Sequence, residues 1–212
     1  MIAMRNYKDT DDKVSLLGFG LMRLPKIDPE KSDIDKEKTQ EMIDYAYSHG
    51  VNYFDTAYPY HEGKSELFVG EAMKKYPRES FHLASKMPVW LVEKPEDTLK
   101  YFEEQLNKCQ VEYFDYYLCH ALNHDRLEII KKNHILETLQ KEKEAGRIKH
   151  LGFSFHGTIE MLEEIVNAYD WDFAQIQLNY YDWDMQNAKR EYEILEEHGL
   201  PVVVMEPVRG GA

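Results

Sequence analysis

The sequence predicts an α/β protein of the TIM-type (β/α)8 barrel class, truncated after about its seventh strand. Three observations predict it. Short apolar runs alternate with longer amphipathic runs, and strand starts recur roughly every 25–35 residues, the size of a βαβ unit. Polar residues of catalytic type end several successive strands, as they do on the C-terminal face of a parallel barrel. No G-x-G-x-x-G follows the first strand, which disfavours a doubly wound open sheet. A closed barrel has eight strands in ~250 residues, whereas this chain has 212. Residues 1–212 therefore read as one continuous, C-terminally incomplete domain without a Pro/Gly/Ser linker.

The elements follow in order. Residues 14–22 form the first strand, where Gly18 and Gly20 allow close backbone packing. Residues 36–49 are helical, with Met42, Ile43, Ala46 and Tyr47 on one face and Gly50 as the stop. Residues 51–55 are the second strand. Residues 65–76 are a helix that buries Leu67, Phe68, Ala72 and Met73. Residues 81–86 are the third strand. The helix over 95–109 opens with Pro95, Glu96 and Asp97, which suit a first turn. Strand four covers 116–120, the next helix 135–145, and strand five 148–154. Thr158 is the expected N-cap of a helix over 158–168. Strand six (173–178), a helix over 185–198 and strand seven (201–206) complete the pattern. Helices between successive strands imply parallel pairing with right-handed crossovers.

Composition narrows the function. With 43% apolar residues the chain can fill a core. A net charge of −13 argues against nucleic acid or an anionic membrane as the main partner. The two cysteines, Cys109 and Cys119, have no paired spacing, so neither a disulfide framework nor a cysteine-rich metal site is expected. Residues 1–10 are polar and no run approaches the ~18 apolar residues of a membrane span, so the expectation is a soluble cytoplasmic protein.

The chemistry lies at the strand ends. Asp55 ends the second strand and Tyr60 follows in the next loop. Lys86 ends the third strand and His120 the fourth. An isolated phenol titrates near pH ~10, and a nearby ammonium stabilises its phenolate and lowers that value. Asp55 would keep Lys86 charged and in place, and His120 would orient a substrate oxygen. Such a set protonates an oxygen that gains negative charge, which is what a carbonyl receiving hydride requires. Tyr58, Trp90 and Glu206 are candidate pocket-lining residues. His120 and His124 stand four apart like a metal pair, but the loop expected at Leu122 and Asn123 breaks that geometry, and no metal site is predicted.

Three segments carry a family resemblance: G-V-N-Y-F-D-T-A-Y-P-Y over 50–60, L-A-S-K over 83–86 and Y-L-C-H over 117–120. Together with G-F-G-L-M-R-L-P over 18–25, they resemble the aldo-keto reductase family along essentially the whole chain. The resemblance implies a catalytic tetrad of Asp55, Tyr60, Lys86 and His120, with Tyr60 as general acid in carbonyl reduction by NADPH. The family spacing selects Tyr60 over Tyr58. The same resemblance implies cofactor contacts from Ser154, Gln177, Met205, Pro207, Val208 and Gly210. Ser154 and Gln177 would hold the nicotinamide carboxamide, and Met205 would pack where an aromatic commonly stacks. Phe155 departs from the family pattern, which has Asn there.

G-F-S-F-H-G over 152–157 and M-E-P-V-R-G-G over 205–211 further resemble reductases with a C-terminal ferredoxin-type extension. A 4Fe-4S cluster would belong only to a region beyond Ala212. The site that separates NADP from NAD would lie there too, so both cofactors stay open. The expected partner is a small-molecule carbonyl substrate. The rival reading is a non-catalytic, nucleotide-sensing or inactive fragment on the same scaffold. A metal-dependent barrel hydrolase would want a first-strand His pair, which is absent.

Overall fold

The computed structural model describes residues 2–8, 10 and 12–209. Two short strands, β1 (Met4–Asn6) and β2 (Lys13–Ser15), pair antiparallel in a sheet of their own. Seven parallel strands follow: β3 (Phe19–Gly20), β4 (Tyr53–Asp55), β5 (His82–Met87), β6 (Phe114–Leu122), β7 (Ile148–Phe155), β8 (Phe173–Gln177) and β9 (Val202–Met205). Each pairs with the next in sequence. The intervening helices are α1 (Lys36–Ser48), α2 (Lys64–Ala72), α3 (Pro95–Cys109), α4 (His124–Lys132), α5 (Ile135–Glu144), α6 (Ile159–Ala168), α7 (Asp182–Met185) and α8 (Ala188–Glu197). The strands form the curled sheet of a barrel, and among the described residues β3 and β9 remain its two edges. No helix of the described residues is long and apolar enough to cross a membrane.

Strand alternation sorts the core into two layers. Phe54, Leu83, Tyr117, Leu151, Phe153 and Ile176 face the helices in the larger apolar cluster. Their neighbours Tyr53, Ala84, Tyr116, Leu118 and Phe173 face the barrel interior in a separate cluster. One step further along β4, β5 and β6, the interior positions become Asp55, Lys86 and His120. Gly152 permits the close approach of β7 to β8, because a Cβ there would stand 2.5 Å from the Phe173 carbonyl oxygen.

The structure amends several expectations. Residues 14–22 are not one strand but two, broken where Ser15 Oγ donates to Leu17 O. Gly18 is sterically required, since a Cβ would meet the Tyr53 ring at 2.9 Å, whereas Gly20 faces open space. The β1–β2 hairpin was not expected. It closes the N-terminal end of the barrel: Tyr7 packs edge-on against Tyr116 at 5.7 Å and donates to Asp172 O at 2.7 Å.

Helix α4 occupies what was expected to be loop. Asn123 is its N-cap and accepts from Arg126 N at 2.9 Å. The helix over 65–76 ends at Ala72 and tightens into a 3₁₀ turn, Met73–Lys75. The helix expected over 185–198 starts later, at Ala188 of α8, after a left-handed Asn187 with φ 57°, and the short α7 precedes it. Thr158 occupies the N-cap position of α6 but makes no side-chain capping bond.

Candidate active site

Three strand ends and one loop build the site. Asp55 and Lys86 share the interior face of adjacent strands, since Asp55 pairs with Ala84, two residues before Lys86. Lys86 is 1% exposed. Its Nζ donates to Asp55 Oδ1 at 2.6 Å, to Thr56 O at 2.9 Å and to Tyr60 Oη at 3.3 Å. Three donors meet three acceptors, so the buried ammonium is fully satisfied. Burial alone would lower the Lys86 pKa, but Asp55 and Tyr60 outweigh it and the net direction is upward. Lys86 is a fixed cation.

Tyr60 is carried by a tight loop. His61, Glu62 and Gly63 follow it with φ values of 52°, 56° and 84°. Two of these are not glycine, and left-handed backbone there costs about 1–2 kcal/mol per residue. His61 offsets part of it by accepting from Leu24 N at 3.0 Å, which ties the loop to the end of the first strand. Such strain is a hallmark of loops that aim a functional group.

The Tyr60 pKa departs from expectation. Burial raises it; Lys86 lowers it and Asp55 raises it, and the net direction is upward. Desolvation therefore outweighs the ammonium that should have made the phenol more acidic. The phenol holds its proton at neutral pH, with a cation beside its oxygen.

His120 faces Tyr60 edge-on, with ring centroids 6.1 Å apart. Burial drives its pKa down to about 3, and the positive charges of Lys86 and Arg126 push the same way. The imidazole is neutral, and its buried Nδ1 has no hydrogen-bond partner. Trp90 lies 5.3 Å from the His120 ring and so belongs to the site margin. Tyr58 does not line it. Its hydroxyl donates to Glu104 Oε1 at 3.1 Å and its ring sits under Lys108 Nζ at 4.0 Å, towards α3. Glu206 is engaged across the barrel mouth by Arg23 Nη2 at 2.8 Å.

Gln175 is a site residue that sequence reasoning missed. Its Nε2 donates to Asp55 Oδ2 at 3.1 Å, and its buried Oε1 has no partner. Strand alternation puts Gln175 and Gln177 on one face, which was the available signal.

Several further groups flank the site on β7–β9. Ser154 Oγ accepts from Ala121 N at 2.7 Å, leaving its own proton free to donate. Gln177 Nε2 donates to Asp182 Oδ2 at 2.8 Å, and Met205 is its register partner on β9. Phe155 is buried in the helix-facing layer. Pro207 and Val208 form an exposed turn after β9, and Gly210 lies outside the described residues. His124, the second member of the apparent metal pair, is exposed and contacts Glu164 at 3.4 Å.

Comparison with known proteins identifies the family of the chain. The family model described as "Aldo/keto reductase family" matches residues 16–212. A probable aldo-keto reductase 1 of Glycine max is 33% identical over 67% of this chain and 42% of its own length. The NADH-specific methylglyoxal reductase of Escherichia coli is 25% identical over 95% of this chain and 66% of its own. The holo structure of aldo-keto reductase AKR11C1 from Bacillus halodurans superposes with a TM-score of 0.79 at 26% identity, over 100% of this chain and 68% of that one. The chain thus spans about half to two thirds of the length of these relatives. Because the family model covers nearly all of it, the chain belongs to the aldo/keto reductase family of oxidoreductases.

Proposed function

We propose that residues 1–212 form the catalytic domain, or most of it, of a nicotinamide-dependent reductase of aldehydes or ketones, with Tyr60 as its proton donor. The observation that carries this reading is the chain from Asp55 through Lys86 to Tyr60, facing a neutral imidazole with a free ring nitrogen.

The residues act as follows. The substrate oxygen sits between the Tyr60 hydroxyl and His120. His120, neutral because it is buried, donates a hydrogen bond and fixes the carbonyl orientation. Addition of hydride to the carbonyl carbon moves the π electrons onto oxygen, and the Tyr60 proton passes to that oxygen. The products are the alcohol and the oxidised nicotinamide. The phenolate left behind stands beside the Lys86 ammonium, which stabilises it until solvent returns the proton. Asp55, held on its other oxygen by Gln175, keeps the ammonium aimed.

A bound dihydronicotinamide would supply the hydride. The residues present suit it. Ser154 retains a free donor and the buried Gln175 Oε1 lacks a partner, as a carboxamide site requires. Gly20 leaves open space beside Asp55 at the mouth. Ser154, Gln177, Met205, Pro207 and Val208 are the contacts we assign, with NADPH first and NADH as the alternative that the Escherichia coli relative's name suggests.

The test is a fluorescence titration of NADPH and NADH into the 212-residue chain, followed by a carbonyl screen. Saturable binding and reduction that Tyr60→Phe abolishes are expected. A folded chain that binds neither cofactor would overturn the assignment for this chain.

A further inference from the structure

The lip of the site holds a cation that carbonyl reduction does not use. Arg126, in the first turn of α4, is half-buried. Its Nη1 donates to Ala121 O at 2.5 Å and to His120 O at 3.4 Å. Its guanidinium lies 4.8 Å over the Trp90 ring, and that ring is the one beside His120. Two carbonyls and a ring face thus hold the guanidinium against the residue that orients the substrate.

What Arg126 lacks is an anion. The chain has 39 acidic residues against 26 basic ones, so carboxylates are plentiful. Arg23, Arg78, Arg147, Arg190 and Arg209 each approach one. Among the described residues no carboxylate lies within ion-pair distance of Arg126. A guanidinium has five N–H donors in a planar fork. The Nη1 pair is turned to the backbone, which leaves the Nε–Nη2 edge, the edge that grips a carboxylate with two parallel bonds.

The position separates Arg126 from the cofactor contacts. Those lie on β7, β8, β9 and the turn after β9, whereas Trp90 follows β5 and Arg126 follows β6, where it shares Ala121 with Ser154. Arg126 also braces a bulge. The β6–β7 register shifts between Cys119 and Leu122, and Ala121 is left-handed with φ 51°. Bracing uses only Nη1 and does not account for the Nε–Nη2 edge.

We propose, on the basis of the carbonyl-reductase reading above, that Arg126 is the anion-recognition residue of the substrate pocket and that the preferred substrates are aldehydes or ketones bearing a carboxylate. The carboxylate docks on the Nε–Nη2 edge while the carbonyl reaches Tyr60 and His120. Trp90 supplies an apolar wall between them.

The experiment compares 4-carboxybenzaldehyde with its neutral methyl ester as substrates, with NADPH, for the wild type, Arg126→Gln and Arg126→Lys. The wild type should show the lower KM for the acid. Arg126→Gln should raise that KM about 10–100-fold, the worth of a charged hydrogen-bonded pair. The ester should lose far less in kcat/KM than the acid, and Arg126→Lys should restore part of the acid's loss. Calorimetric titration with benzoate against benzamide reads the site without turnover, and benzoate affinity should vanish in Arg126→Gln.

Equal losses for acid and ester would make Arg126 a brace only and overturn the proposal, as would a wild-type preference for the ester. Tighter binding of inorganic phosphate than of benzoate would overturn the carboxylate assignment. Reduction of the ester without benzoate binding would sink the anion site and leave the reductase standing. Arg126-dependent benzoate binding without reduction of either aldehyde would do the reverse.

Discussion

Two carboxylates, at opposite ends of the same parallel sheet, face cations in opposite ways: Asp115 on β6 is buried, and Asp55 on β4 is half-buried. At the N-terminal edge, Asp115 accepts from Arg78 Nη2 at 2.6 Å, Leu83 N at 2.9 Å and Lys149 Nζ at 2.7 Å. Burial alone would raise its pKa; the nearby His82, the Arg78 charge and the Lys149 bond outweigh that and hold the carboxyl well below the usual range. At the C-terminal edge, Asp55 meets one ammonium and one amide, and the ammonium passes on to a phenol. The first cluster closes on its carboxylate, with His82 as the further group beside it. The second ends in a Tyr60 hydroxyl and an unpartnered imidazole. Saturation marks a clamp, and a chain that ends in an acid marks a place for chemistry.

The comparison breaks first at Tyr60. Tyr60→Phe should lower kcat by about 10²–10⁴-fold, the range for a general acid, while cofactor Kd and thermal midpoint stay unchanged. Stopped assays at saturating substrate give kcat, and near-wild-type turnover would remove the acid from the proposal.

Asp115→Ala should do the opposite. It strands Arg78 and Lys149 and should cost about 3 kcal/mol, the lower end for breaking a buried pair, because both cations keep some access to water, at 23% and 45% side-chain exposure. Urea unfolding measures the loss, and kcat of the folded fraction should be unchanged. Since the folded Asp115 pKa is depressed, its contribution is fully present above the ordinary carboxylate value of about 4 and is lost as pH falls below it. Asp115→Asn should flatten that acid limb.

Lys86→Met links the two clusters, because it leaves Asp55 buried beside a methyl group. Turnover should fall about tenfold or more. Lys86 lowers the Tyr60 pKa against the burial that raises it, so removing the ammonium raises that pKa further. The alkaline limb of carbonyl reduction, where Tyr60 loses its proton, should move to higher pH. A rate profile across pH 6–11 reads it, and an unmoved limb would make Lys86 a structural cation like those around Asp115.

Much of this contrast was legible in the sequence, and the limits have physical causes. Asp55, Lys86 and His120 each come at the end of an apolar run, so period-two alternation places them on the interior face and the end of the run gives their height. Gln175 was overlooked in favour of Gln177, although both share that face, because alternation sets the side and not the height. The Asp115 clamp was invisible because its partners lie 37 and 34 residues away in sequence. The β1–β2 hairpin went unseen because Met4–Asn6 is three exposed residues with no apolar alternation. Helix α4 is hidden in the sequence because Asn123, its N-cap, is equally a turn residue; N-caps and turns draw on the same residues for the same backbone-bonding reason.

The finest test sets two phenols against each other that stand two residues apart. Tyr58 and Tyr60 leave the same loop, and burial raises both pKa values, that of Tyr58 to about 12. Direction of shift therefore does not distinguish them; surroundings do. Tyr58 meets a carboxylate, Glu104, and packs edge-on against Tyr101 at 5.6 Å. A phenolate there would face negative charge, whereas one at Tyr60 would face Lys86. Tyr58→Phe keeps the ring contacts and removes one half-exposed hydrogen bond. It should cost about 0.5–1 kcal/mol in unfolding free energy and leave kcat within about twofold. A larger loss of kcat would move the proton donor, or part of its support, from Tyr60 to the α3 side of the loop.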